Sequence, residues 1–265
     1  YSSHVTLDTR EGIYIKSTAT SAATGCWVRA YDHDAVHAIW FGMTRNTNSA
    51  PVRTDNTAAI QAAIDVTLLL SAQKVQLPQG NYNCAVGVYS DPPANLRAAV
   101  SPGTGAFSVK LCGMGIGNNE GHGTSLTFPT GGEAIIIGQG RGMEGRDLRI
   151  AGPGVSTTRA AMPSGDVGLA IAAYGSHFLY ENVMVIGFRT GIKTGFNSNN
   201  LTDSHQFRGC YVANCYVGLE IAQNQNFIVG LGDCTFADCT THVKSLKGPL
   251  VNISNGNYST ASANK

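Results

Sequence analysis

Asp147-Leu148-Arg149-Ile150-Ala151-Gly152, Asn182-Val183-Met184-Val185-Ile186-Gly187, Gly209-Cys210-Tyr211-Val212-Ala213-Asn214 and Asp233-Cys234-Thr235-Phe236-Ala237-Asp238 superpose without a gap. Each reads bend, apolar, variable, apolar, variable, bend. Both bend columns hold only Asp, Asn or Gly, the residue types that enter the left-handed backbone region at least cost. Between the bends, Leu148/Val183/Cys210/Cys234 and Ile150/Val185/Val212/Phe236 share one side of a strand, and Arg149/Met184/Tyr211/Thr235 share the other. One side is therefore core and the other solvent.

A second short strand follows each unit: Gly168-Leu169-Ala170-Ile171, Gly191-Ile192-Lys193-Thr194, Gly218-Leu219-Glu220-Ile221 and, with drift, His242-Val243-Lys244-Ser245. The units begin at 147, 182, 209 and 233, so they are spaced 35, 27 and 24 residues apart, and the shortest is a bare coil. The longer ones carry loops, Pro153 to Asp166 and Phe196 to Thr202, where insertions and binding sites are tolerated. Coils of this kind stack ~4.8 Å apart, like residue on like residue, each satisfying its neighbour's backbone. The pattern predicts an all-β, single-stranded parallel β-helix.

Upstream, Thr54, Asp55 and Asn56 offer capping oxygens before Ala58, Ala59, Ile60, Ala63 and Ile64 at helical spacing. Val75-Gln76-Leu77 then alternates as a strand, Pro78 and Gly80 break it, and Tyr82 follows. The short helix is expected to plug the open first coil. Residues 1–53 are loosely patterned, with strand-like pieces at Gly12 to Ile15 and Cys26 to Tyr31, and read as a small N-terminal cap or connector; 54–265 read as the β-helix, truncated at its C-terminal end.

Charged residues make up 13%, about half the usual share for soluble domains, while 32 glycines favour turns. A net charge of +1 supplies no field to collect a polyanion, so nucleic acid is not an expected partner. No apolar run reaches the ~18 residues of a membrane span, and the start Tyr1-Ser2-Ser3-His4 has no secretion signal. Of seven cysteines, Cys210, Cys215, Cys234 and Cys239 fall on apolar positions of the repeat. They read as reduced core thiols made in a cytoplasm, stacked 210 under 234 and 215 under 239, rather than as disulfides or zinc ligands.

Thr54-Asp55-Asn56-Thr57-Ala58-Ala59-Ile60-Gln61-Ala62-Ala63-Ile64-Asp65 followed by Val75-Gln76-Leu77-Pro78-Gln79-Gly80-Asn81-Tyr82 resembles the opening segment of pectin-lyase-like right-handed β-helix proteins. Gly25-Cys26-Trp27-Val28-Arg29, Tyr31-Asp32 and Trp40-Phe41-Gly42 are similar to the stretch preceding it in many phage tail proteins. The resemblance covers roughly residues 11 to 130. It implies tailspikes and polysaccharide depolymerases: homotrimers on the virion tail that bind or cleave bacterial surface polysaccharide, commonly with catalytic carboxylates and no cofactor.

Two local motifs compete and lose. Gly113-Met114-Gly115-Ile116-Gly117 has the glycines of a phosphate loop, but no helix-periodic segment follows, so a coil corner is expected. Gly121-His122-Gly123 matches one polygalacturonase motif whose companion motifs are missing.

Hydrolysis of a glycosidic bond needs two carboxylates, roughly 5 to 9 Å apart according to stereochemical course. Asp147, Asp233 and Asp238 are bend residues, and Glu220 shares a column with Lys193 and Lys244, which predicts an ion ladder. Glu181 shares an outward column with Arg146 and Arg208 and is either their ion-pair partner or functional. Asp203 and Asp166 form the leading catalytic pair, with Glu181 third and Glu133 and Glu144 behind. His205 and His177, in or near the loops, and the outward Tyr211 are the candidate sugar-binding residues; Tyr174, Tyr180 and Phe196 lie near the same loops. No metal ligands are assigned. Three readings stay open: a tailspike that binds and hydrolyses polysaccharide, a non-catalytic receptor-binding or structural shaft, and a secreted lyase using an Arg or Lys base with calcium.

Overall fold

The computed structural model describes residues 8–17, 25–31, 34–46, 54–70, 74–85, 88–89, 109–117, 122–129, 132–137, 144–153, 162–163, 165–171, 178–194, 204–222, 228–246 and 250–259. Apart from one antiparallel pair, Tyr14–Lys16 with Cys26–Val28, every strand pairing among them is parallel. The chain is a right-handed parallel β-helix whose coils present three faces.

The first face precedes the first bend. It runs from Ala35–His37 through Lys74–Gln76, Lys110–Cys112 and the starts of the long strands Glu144–Ala151 and Phe178–Ile186 to Ser204–Arg208, Ile228–Gly232 and Leu250–Ser254. The second follows the bend: Gly80–Asn83, Thr124–Thr127, the ends of the two long strands, Tyr211–Ala213, Thr235–Ala237 and Asn257–Ser259. The third holds Val88–Tyr89, Glu133–Ile137, Val167–Ile171, Thr190–Thr194, Val217–Ile221 and Thr241–Ser245.

The repeat aligns as read. Ile150, Val185, Val212 and Phe236 are in direct register, and the column extends to Tyr82 and Leu126 on one side and Tyr258 on the other. Asp147, Asn182, Gly209 and Asp233 all have φ between 52° and 57°, as the first bend requires. Gly187, Asn214 and Asp238 turn the second bend the same way, but Gly152 does not appear among the positive-φ residues. One more coil follows, bent at Asn255 (φ 53°); its first inward position is Gly256 rather than an apolar residue. No described strand lies beyond it, which leaves Leu250 66% and Ile253 47% exposed, while Leu231 one coil below is buried.

The main sheet starts before residue 54, because Ala35–His37 pairs with Lys74–Gln76. The helix α1 (Thr57–Leu70) packs Ala59, Ile60, Ala63, Ile64 and Val66 into the core against the 3-10 turn Ala38–Phe41 and the first strands. Its start is tied down by Asp55, whose Oδ1 accepts from the Thr57 N–H at 3.0 Å, the Thr57 hydroxyl at 2.6 Å and, across the coil, the Ala85 N–H at 2.9 Å. Burial alone would raise the pKa of Asp55, but these hydrogen bonds together outweigh it and hold it low.

Candidate functional site

On the first face the strand alternation sends Tyr180 and Phe207 inward, rings stacked at 5.2 Å, and turns Glu181 outward. Gly145 below leaves room for the Tyr180 ring, which lies 3.0 Å from where a Cβ would stand. Register places Arg146, Glu181 and Arg208 side by side on successive coils. Arg146 Nη2 lies 2.8 Å from Glu181 Oε2, and Arg208 Nη1 3.8 Å from Oε1. Both carboxylate oxygens are thus engaged by guanidinium groups, in a half-exposed setting where such pairs are worth little in stability.

Asp166 lies elsewhere, at the corner that opens the third face. It is 3% exposed; its Oδ1 accepts the Gly132 N–H at 2.6 Å, and its carbonyl accepts the Thr190 N–H at 2.9 Å. Asp166 therefore staples three consecutive coils, leaving Oδ2 buried without a hydrogen bond among the described residues. Glu133, next in sequence to Gly132, shares this corner, and burial raises its pKa against the pull of Lys193. As a solvent-facing catalyst Asp166 is not supported, because a carboxyl this enclosed does not reach a polymer at the surface.

His205 is fully buried, its ring stacked on Phe178 at 5.1 Å. It belongs to the core rather than to a sugar groove, for the reason that puts Phe207 there: the two are separated by one full strand period. Tyr211 is half-buried on the outward side of the second face, in register with Met184 and Thr235. Glu181 and Tyr211 flank the same line of bends on adjacent coils. Asp203 and His177, along with Tyr174 and Phe196, lie outside the described residues; so does the Glu144 side chain.

The remaining motifs are structural. Gly115 N–H donates to the Asp147 carbonyl at 2.8 Å, and the Gly115 carbonyl accepts from Thr124 at 2.9 Å, so the glycine-rich segment is a coil corner packed on its neighbours. Glu220 bridges Lys193 at 3.0 Å and Lys244 at 3.1 Å, the expected ladder, and its pKa stays low because those contacts outweigh the burial that would raise it. All seven cysteines are free thiols, and Cys210 under Cys234 and Cys215 under Cys239 are buried. The described residues contain no cluster of His, Cys, Asp and Glu able to hold a metal, and no helix among them is long and apolar enough to cross a membrane.

Sequence reading missed Arg149. It stands in the outward column of the second face, between Ser125 and Met184, and its guanidinium makes no ion pair or hydrogen bond among the described residues. The available signal was its place in a column otherwise filled by Met, Tyr and Thr.

No protein-family model and no curated protein matches the sequence. Among solved structures, the full-length tailspike protein 2 of Escherichia coli O157:H7 bacteriophage CAB120 superposes over 94% of this chain with a TM-score of 0.52 at 15% identity. The fold is the right-handed parallel β-helix that this structure also has. Looser likenesses are the gp42 tailspike of Acinetobacter phage vb_AbaP_AS12 (TM-score 0.48, 13% identity, 88% of this chain and 47% of that one) and the A-module of the Azotobacter vinelandii mannuronan C-5 epimerase AlgE4 (0.41, 20%, 78% and 56%). This chain spans about a third of the length of the CAB120 protein, 33%.

Proposed function

We propose that this tailspike-like chain binds a bacterial surface polysaccharide along the flank formed by Arg146, Glu181 and Arg208 on the first face and Tyr211 around the bend. In this reading it belongs to a homotrimer on a virion tail and hydrolyses glycosidic bonds, with Glu181 and Asp203 as the acid/base pair and Asp166 supporting the corner loop. The observation that carries it is the outward array at the line of bends: a carboxylate, two guanidinium groups and a half-buried aromatic ring on adjacent coils of a rigid tailspike fold.

The test is incubation with capsule or O-antigen purified from a strain to which the protein adsorbs, following reducing ends. Release by the wild type, with loss of at least about 100-fold in Glu181→Gln and in Asp203→Asn, is the expected result. Appearance of unsaturated sugar, abolished by a chelator, would replace hydrolysis with a calcium-dependent lyase.

A second reading is favoured by the ion pairs themselves. With both Glu181 oxygens held by arginines, the chain serves as a receptor-binding shaft without chemistry. Adsorption without release of either product would establish it.

A further inference from the structure

Taking the polysaccharide reading as its basis, we propose that Arg149, standing over the sealed Ser125 and two coils below Tyr211, forms a subsite for an acidic sugar residue, with Arg149 and Tyr211 as the groups that meet it. The starting point is an electrostatic imbalance. Arg146 and Arg208 face Glu181, Arg189 donates to the Met162 carbonyl at 2.9 Å and lies over Tyr216, and Lys193 and Lys244 share Glu220. Among the described residues Arg149 has no counterpart of this kind, although it is half-buried, its Nε is sealed from solvent, and burial pulls its pKa down.

The imbalance is local and shared. Ser125, in direct register with Arg149 on the coil before, is 1% exposed, and its hydroxyl is likewise buried without a partner. Burying an unpaired charge and unsatisfied polar groups is costly, and natural folds keep such arrangements where a ligand completes them.

The chemistry of the completing group follows from the residues. A guanidinium fork matches the two oxygens of a carboxylate and discriminates against a neutral hydroxyl. Met184 and Tyr211 continue the same outward column, Tyr211 about 9.6 Å from Arg149 by two coil spacings. Their apolar surfaces suit the face of a sugar ring, so a saccharide chain laid along the helix axis would meet an aromatic platform and then a cation.

The experiment is calorimetric titration of the whole chain with a hexameric uronate, with neutral maltohexaose and with inorganic phosphate. The wild type is expected to bind the uronate roughly tenfold more tightly than maltohexaose, and Arg149→Met to reduce that preference below about twofold. Without ligand, Arg149→Met is expected to melt at or above the wild-type temperature, since it removes a half-buried guanidinium that has no ion pair among the described residues. A preference that survives Arg149→Met overturns the inference. Equal binding of both hexamers, weakened alike by Tyr211→Ala, overturns it while leaving the polysaccharide reading intact. Binding of neither hexamer overturns both, and phosphate binding as tight as the uronate's reassigns the site to free anions and overturns the saccharide subsite.

Discussion

Asn182 donates its side-chain amide to the Asp147 carboxylate at 2.7 Å, so that one corner is hydrogen-bonded to the equivalent corner of the coil before it. Both residues sit in the left-handed region, with φ of 52° and 57°. Asn182→Ala loses the bond and also strains the backbone, whereas Asn182→Gly loses only the bond. The alanine variant is therefore expected to be about 1 kcal/mol less stable than the glycine variant in urea unfolding. Equal stability of the two would mean that the corner does not need the left-handed conformation.

Asp65, half-buried on the face of α1 that also carries Gln61, has its pKa raised by burial from 3.8 to about 6, with the 2.9 Å hydrogen bond from Gln61 opposing the rise. The folded value lies above the unfolded one, so the stabilisation from keeping the carboxyl neutral is complete below pH ~4 and is lost as pH rises towards 6. Asp65→Asn is expected to match the wild type near pH 4 and to exceed it at pH 8 by up to roughly 2–3 kcal/mol. Melting curves across this range check the sign; a variant less stable at pH 8 would refute it.

Three strands of the third face carry a glycine at their second position, Gly168, Gly191 and Gly218, because the core of the second face reaches into that space. A Cβ on Gly191 would stand 2.6 Å from Val212 Cγ1 and 2.8 Å from the Gly218 carbonyl; one on Gly218 would stand 2.7 Å from Phe236. Gly191→Ala is expected to destabilise by about 1–3 kcal/mol through overpacking. Differential scanning calorimetry would show it, and an unchanged transition would argue against the packing described.

The thiol columns predict chemical silence. The hydrogen bond shared with Cys234, then burial, pushes the Cys210 thiol up; the bond with Cys239, then burial, does the same for Cys215; burial pushes Cys84 up to about 12; and Cys234, which the bond from Cys210 lowers, is kept from reagents by its burial. In the native protein at pH 8 only the half-buried Cys26 is expected to react promptly with a disulfide reagent, the others waiting for denaturant. Prompt reaction of several thiols would contradict the inward placement of these columns.

Much of this was legible in the sequence because bends and core columns each impose a narrow residue choice. Asp147, Asn182, Gly209 and Asp233 announce a left-handed corner, and Leu169, Ile192 and Leu219 announce a core position. The alternation of Val75, Gln76 and Leu77 marks the strand Lys74–Gln76 to within one residue, whereas Ala35–His37 gains its place only by pairing with a strand far along the chain. The site was less legible. His205 looked like a loop histidine because Asp203 precedes it, yet counting back two residues from Phe207 puts it inside. Asp166 was chosen for its position after an insertion, while its actual role depends on the Gly132 N–H, which comes from a different coil. Arg149 stands out only once the described residues of the neighbouring coils are seen to bring it no acid.

Hydrogen–deuterium exchange of the chain with and without capsule from an adsorbing strain tests the binding flank most directly. Slowed exchange is expected in the strands bearing Arg146, Glu181, Arg208 and Tyr211, with Thr190–Thr194 and Val217–Ile221 on the third face unchanged. Protection confined to the third face, or none at all despite adsorption, would contradict the assignment.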